Sequence, residues 1–83
     1  MTKLQKLRDI ILNYQMLNEE YAWYKSHEYV FAELAAQNYK VLDSYTSTQK
    51  AYIKLMYTKW VQAMELAEKI DQELKYNRST KSY

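Results

Sequence analysis

The 83-residue chain contains no glycine, no proline and no cysteine, and it has a single histidine. Glycine and proline supply the tight turns and crossovers of sheet proteins, so their absence argues against an all-β or α/β fold. Without cysteine there is no disulfide and no thiolate metal site, and one histidine leaves few routes to zinc. We therefore expect an all-α domain that is stabilised by packing or by self-association.

Charge of one sign and long apolar runs are also lacking. Twelve basic and ten acidic residues leave a net charge of +2. The sequence pI of 8.7 falls short of the value of roughly 9 that marks a dedicated nucleic-acid-binding domain. No apolar run approaches the roughly 18 residues of a membrane span, and the N-terminus lacks the apolar segment of a signal peptide. These features predict a cytoplasmic protein that does not interact with a membrane.

Motifs for catalysis and nucleotide binding are missing. His27 is the only histidine, and Tyr24 stands where a helical di-metal site would need a glutamate three residues earlier. Neither Ser26 nor Ser44 has the context of a nucleophile elbow, and a phosphate-binding loop needs glycine. We expect a protein that is not an enzyme and that uses no metal or cofactor.

Residues 46–76 predict one long helix, because apolar residues recur there at spacings of three and four. Thr46 and Gln49 have the spacing of a capping box at its start, with Ser47 as the alternative cap. We call the apolar row of this helix the seam. It consists of Ile53, Met56, Trp60, Ala63, Ala67, Ile70 and Leu74.

The preceding half of the chain predicts a helical arm that packs against the seam. Thr2 and Gln5 match a capping box. An apolar row follows them, formed by Leu4, Leu7, Ile11, Tyr14 and Leu17. A break is expected between residues 18 and 27, where Asn18 or Ser26 offers a new N-cap. Residues 21–42 carry two apolar rows, which argues for a third packing element, and the short polar residues 43–48 predict the loop.

These patterns predict an antiparallel helical hairpin with its turn at 43–46, or a small three-helix bundle if the first arm breaks. An unbroken arm of about 40 residues would be a rod roughly 60 Å long, expected to dimerise into a four-helix arrangement. The turn would bring Glu28 and Glu33 toward Lys54 and Lys59. A single helical domain is expected over 1–76, with a flexible tail over 77–83.

Ten of the thirteen aromatic residues are tyrosines, and tyrosine and tryptophan are enriched in protein interfaces. The leading hypothesis is a non-enzymatic protein-binding module that acts stoichiometrically, as inhibitors, immunity or antitoxin proteins and phage accessory factors do. The predicted partner-binding residues are Trp23, His27, Tyr29, Val30 and Leu34. The same residues could instead close the protein's own bundle or a homodimer.

Two alternatives remain open. Lys50, Lys54 and Lys59, with Tyr52 and Tyr57 between them, could contact nucleic-acid phosphates and bases. The plainer interpretation of these lysines is a solvated helix face paired with the acidic arm. In the second alternative the chain is a structural subunit whose apolar rows pack copies of the protein together.

Overall fold

A computed structural model describes residues 2–81, and the side chains of residues 2–75. This part of the chain contains no strand. Its elements are α1 (Lys3–Gln15), α2 (Asn18–Ser26), α3 (Glu28–Ala35), a 3₁₀ helix (Tyr39–Ser44) and α4 (Ser47–Lys81). The all-α prediction is confirmed, with more and shorter elements in the first half than expected. No helix within the described residues has the length and apolarity required to cross a membrane.

Helices α1 and α4 begin at the two predicted capping boxes. The Thr2 hydroxyl accepts the Gln5 N–H at 3.2 Å, and the Gln5 side chain accepts the Thr2 N–H at 2.8 Å. Thr46 and Gln49 repeat this exchange at 3.2 and 2.9 Å. Each box satisfies two backbone N–H groups that have no partner inside the helix.

The first arm breaks twice. At the first break Leu17 is extended, and its N–H donates to the Glu20 carboxylate at 2.9 Å. Helix α2 therefore begins at Asn18, which is inside the helix rather than its cap. The second break is at His27, with φ −130° and ψ 34°. One break falls at the end of the predicted interval and the other just before its start.

Helix α3 ends at Ala35, seven residues before the expected end of the apolar rows. Gln37 has a positive φ of 62°. Its N–H donates to the Leu34 carbonyl at 3.0 Å, and the Asn38 N–H donates to the Glu33 carbonyl at 2.8 Å. This pair of hydrogen bonds is a Schellman motif, which usually has glycine at the residue with positive φ. The reversal toward α4 therefore starts at 36–38 and continues through the 3₁₀ helix.

The chain from α1 to α2 runs antiparallel to α4. Two ion pairs establish the direction, because Lys3 lies 3.4 Å from Asp71 and Glu20 lies 3.1 Å from Lys59. The register differs from the predicted one. Glu28 pairs with Lys25 instead of a lysine of α4, and Glu33 accepts a hydrogen bond from Asn38.

The seam is the buried face of α4 along most of its length. Ile53, Met56, Ala63 and Ala67 are fully buried, whereas Trp60 and Ile70 are half-buried. Leu74 is exposed, because α1 begins opposite Asp71 and no described element extends further along α4. The helix bounds of α4 overlap the predicted tail at 77–81, and residues 82 and 83 lie outside the described residues.

The buried face of α1 differs in part from the predicted apolar row, of which Leu4, Leu7 and Ile11 are half-buried. Residues Arg8, Asp9, Leu12 and Met16 are buried, while Tyr14 and Leu17 are exposed. A charged pair therefore lies inside the α1–α4 contact, a position that charged residues occupy only when they are paired.

Candidate protein-binding surface

Trp23 of α2 is the centre of an aromatic cluster. The His27 ring stacks on its indole, with centroids 4.0 Å apart and an interplanar angle of 5°. Phe31, Tyr45 and Tyr52 approach Trp23 edge-on, with centroid distances of 6.2, 6.3 and 6.2 Å. These side chains come from α2, the α2–α3 break, α3, the segment after the 3₁₀ helix, and α4. Edge-to-face and stacked geometries are those that aromatic rings favour.

The break at His27 positions the stacked ring. One turn separates His27 from Trp23, and its Nδ1 lies 3.0 Å from the Trp23 carbonyl oxygen. The same nitrogen lies 2.8 Å from the Ser26 hydroxyl. The Ser26 hydroxyl also donates to this carbonyl, at 3.0 Å. The Trp23 carbonyl at the end of α2 is thereby satisfied, and the imidazole is held flat on the indole.

Tyr29 extends the cluster to the molecular surface. Its side chain is 58% exposed, its ring centroid lies 6.3 Å from that of His27, and its hydroxyl lies 3.3 Å from the Tyr45 hydroxyl. Tyr52 is exposed beside it, whereas Trp23, His27 and Tyr45 are half-buried. We call the solvent-accessible part of the cluster, formed by these five residues, the aromatic surface.

Two hydroxyl groups of the aromatic surface, those of Tyr45 and Tyr52, are neutral at neutral pH. The hydrogen bond to Tyr29 and partial burial raise the pKa of Tyr45 above its ordinary value of 10.0. Burial, with a contribution from the charges of Glu20 and Glu19, raises the pKa of Tyr52 in the same direction. The surface therefore offers apolar rings with hydroxyls that donate and accept hydrogen bonds, and it offers no activated nucleophile.

The five predicted partner-binding residues divide into two groups. Val30 and Leu34 are buried and belong, with Phe31, to the face of α3 that packs into the protein's own core. Trp23, His27 and Tyr29 lie at the aromatic surface. Sequence reasoning did not assign Tyr45 or Tyr52 to this site, because both are distant in the chain and reach it only through the reversal before α4.

The three predicted nucleic-acid lysines do not share one face of α4. Lys50 and Lys54 are one turn apart, but Lys59 is rotated by about 140° from Lys54 at 100° per residue. Lys59 is also engaged, since its ammonium group donates to both carboxylate oxygens of Glu20 at 3.1 and 3.4 Å.

A buried polar cluster lies between α1 and α2, and sequence reasoning did not find it. Asp9 accepts hydrogen bonds from the Tyr24 hydroxyl at 2.7 Å and from the Lys25 ammonium at 3.2 Å. The Arg8 guanidinium lies 3.4 Å from Asp9 and 5.0 Å from the centroid of the Trp60 ring. Each charge thus has a partner of opposite sign or an aromatic face.

The protonation states of this polar cluster indicate a structural role. Burial acts to raise the pKa of Asp9, but the hydrogen bonds from Tyr24 and Lys25 outweigh it and hold the pKa below its ordinary value of 3.8. Burial and the contact with Asp9 raise the pKa of Tyr24. Asp9 is therefore ionised and engaged by three donors, an arrangement unsuited to a general base. No group of three or more potential metal ligands comes together within the described residues.

No model of a known protein family matches this chain, and comparisons with curated proteins and with solved structures found no match either.

Proposed function

We propose that this chain is a non-enzymatic protein-binding module that acts stoichiometrically, by covering part of another protein with its aromatic surface. The observation that supports this function is the exposed Tyr29 ring beside the Trp23–His27 stack. Inhibitors, immunity or antitoxin proteins and phage accessory factors work in this way, because one rigid patch is sufficient.

Rigidity supports the proposal. Rings from several elements surround Trp23, and a backbone carbonyl holds His27. Side chains that are already ordered lose little conformational entropy on binding, so more of the interaction energy remains as affinity.

The polar side chains around Tyr29 fit a binding hot spot. Glu28 precedes it and pairs with Lys25 at 2.6 Å, and Glu33 lies one helical turn further along α3. Binding energy in protein interfaces concentrates in aromatic anchors that polar residues surround. Tyr29, Trp23 and Tyr52 are the anchors in this proposal.

The test replaces Tyr29, because its exposed ring can be removed without opening the core. The immobilised chain is exposed to an extract of the cells it comes from, and the affinity of each retained protein is then measured. We expect Tyr29→Ala to weaken binding by about tenfold or more, as truncation of an aromatic anchor does.

Tyr39→Ala is the matched control, since Tyr39 is 62% exposed and lies in the 3₁₀ helix outside the cluster. It should bind like the unmodified chain, and both variants should keep their circular dichroism spectra. Equal binding by Tyr29→Ala and the unmodified chain would contradict the assignment of the aromatic surface.

Binding of nucleic acid remains an alternative proposal, which fewer of the described contacts support. Lys54 is exposed and Lys50 is half-buried, while Lys59 already neutralises Glu20. This function predicts binding of duplex or single strands that weakens steeply with salt and falls in Lys54→Glu. Absence of binding at about 50 mM salt would eliminate it.

Self-association of the chain is a third proposal, in which two copies complete a four-helix arrangement. The extents of 57 × 26 × 18 Å support it, because a thickness of 18 Å accommodates only two layers of helices, which pack 8–10 Å apart. Helices α1 and α4 carry exposed large apolar residues that a second copy could cover, among them Ile10, Tyr14, Leu55 and Leu66.

A further inference from the structure

The side of α1 that faces away from α4 carries large apolar residues. Ile10 is 56% exposed and Tyr14 is 87% exposed, one helical turn apart on α1. Leu17, just after the helix end, is 73% exposed. The opposite side of the same helix packs against the rest of the protein, where Arg8 and Leu12 are buried. Helix α1 thus has a covered side, where Leu12 is buried with Arg8, and an uncovered side that is apolar.

The basic residues at the start of α1 interact unfavourably with the dipole of that helix. Asp9 is its only acidic residue and is buried, while Lys3 and Lys6 are exposed in its first two turns. The first turn has no acidic residue and the last turn has no basic residue. The N-terminus of a helix carries partial positive charge and its C-terminus partial negative charge. Lys3 is compensated by Asp71 of its own chain, so Lys6, which has no acidic partner among the described residues, is the lysine that is unfavourable within one copy.

A second copy in antiparallel orientation corrects this charge arrangement. Pairing about Ile10 places Lys6, four residues before it, opposite Tyr14 of the second copy, four residues after it. Lys3 then lies toward Leu17 and the exposed Glu19 of the second copy, beside the C-terminal carbonyls of its α1. The ammonium of Lys6 can meet the face of the Tyr14 ring, a favourable contact of a cation with an aromatic ring. Parallel pairing would bring four lysines together.

We propose that the Ile10–Tyr14–Leu17 side of α1 is a docking surface for a second copy of this chain, in an antiparallel contact with its two-fold axis near Ile10. The contact is self-complementary, as a two-fold interface requires. Two 13-residue helices, each about 20 Å long, bury less than about 1,000 Å², so we expect a weak dimer with a Kd of tens of micromolar or more. This surface includes no residue of the aromatic surface, so either proposal can fail without the other.

The absence of cysteine allows a direct test with single introduced thiols. Residues near a two-fold axis meet their own copies, so Ile10→Cys should form a disulfide-linked dimer when copper–phenanthroline oxidises the two thiols. Leu55→Cys is the matched control, because Leu55 is 55% exposed and lies on α4. At about 200 µM chain we expect the Ile10→Cys dimer to form at least about tenfold faster.

Equal rates, or faster linkage of Leu55→Cys, would overturn the proposal. Sedimentation velocity provides a second test that introduces no cysteine. The unmodified chain should associate as its concentration rises from about 10 to about 500 µM. Tyr14→Glu should weaken this association by about tenfold or more, whereas Tyr39→Glu should not. A chain that stays monomeric throughout, or a dimer that Tyr14→Glu leaves intact, would contradict the α1 surface.

Discussion

The hydroxyl of Tyr24 donates a hydrogen bond of 2.7 Å to Oδ1 of Asp9, a residue fifteen positions earlier in the chain. Both side chains are buried, and this bond joins α2 to α1. It also explains how a carboxylate can be accommodated inside so small a protein, because Lys25 and Arg8 supply the remaining contacts.

Removing this hydroxyl should destabilise the protein. In Tyr24→Phe the ring still fills its site, but the buried carboxylate loses its shortest hydrogen bond. A hydrogen bond to a charged group contributes about 1.5–3 kcal/mol, so we expect a loss of that size in the free energy of unfolding. Urea denaturation measures it. Tyr39→Phe, at an exposed position, should leave the midpoint unchanged, and an equal midpoint for Tyr24→Phe would show that the bond contributes nothing.

Stability should decrease in acid. The Leu17 N–H, opposed by burial and assisted by Lys59, lowers the pKa of Glu20 from 4.5, and that of Asp9 also lies below its ordinary 3.8. A carboxyl with a lowered folded-state pKa stabilises the fold above its unfolded pKa, and this stabilisation is lost as pH falls through the folded pKa. The free energy of unfolding should therefore fall as the pH drops below about 4.5.

Denaturation at several pH values between about 6 and about 2.5 tests this dependence. Asp9→Asn should be less stable at neutral pH and should lose less stability on acidification than the unmodified chain. Parallel stability curves for the two proteins would show that Asp9 is not one of the groups responsible.

Glu20 should contribute to stability through two separable contacts. Its carboxylate accepts the Leu17 N–H, which caps α2, and it pairs with Lys59 of α4. Loss of a helix cap costs about 1 kcal/mol, so Glu20→Ala, which also unpairs Lys59, should cost about 2 kcal/mol. Glu20→Gln keeps an acceptor for the N–H and should cost less. Glu19→Gln, at an exposed neighbouring position, should leave the free energy of unfolding almost unchanged. Any other order of destabilisation among the three variants would contradict the assignment of two separate contacts to Glu20.

Gln37→Gly should stabilise the protein. Gln37 has a φ of 62°, a region in which a side chain beyond the α-carbon is sterically unfavourable and glycine is not. We expect a gain of up to about 1 kcal/mol in the free energy of unfolding, reduced by the greater freedom of glycine in the unfolded chain. Ala36→Gly is the control, because Ala36 has a φ of −82°. It should be destabilising, and a loss of stability in both variants would refute the argument.

Local signals in the sequence were sufficient for some features of the fold. The boxes at Thr2–Gln5 and Thr46–Gln49 were predicted correctly because each is complete within four residues. The seam was predicted correctly at Ile53 and Met56, because the main apolar row of a long helix is the side that packs against the rest of the chain. The end of α3 was missed because its cap residue is Gln37, and a chain without glycine gives no signal there.

The candidate site was predictable only in part. Trp23, His27 and Tyr29 lie close together in sequence and share the surface in the structure. Their neighbours Val30 and Leu34 were placed on the same side by helical spacing, but the break at His27 changes the direction of the helix and the core of the protein covers both.

Sequence alone determined that this protein is helical, where its first and last helices begin and that aromatic residues accumulate on its first arm, since composition, caps and periodicity are local properties. Only the tertiary structure decided which side of each helix is covered. Helix α1 leaves Ile10 and Tyr14 exposed on one side, whereas its buried side contains Arg8 and Asp9 beside Leu12. Burying these charges is favourable only with Tyr24, Lys25 and Trp60 beside them, and those partners come together only when the chain is folded.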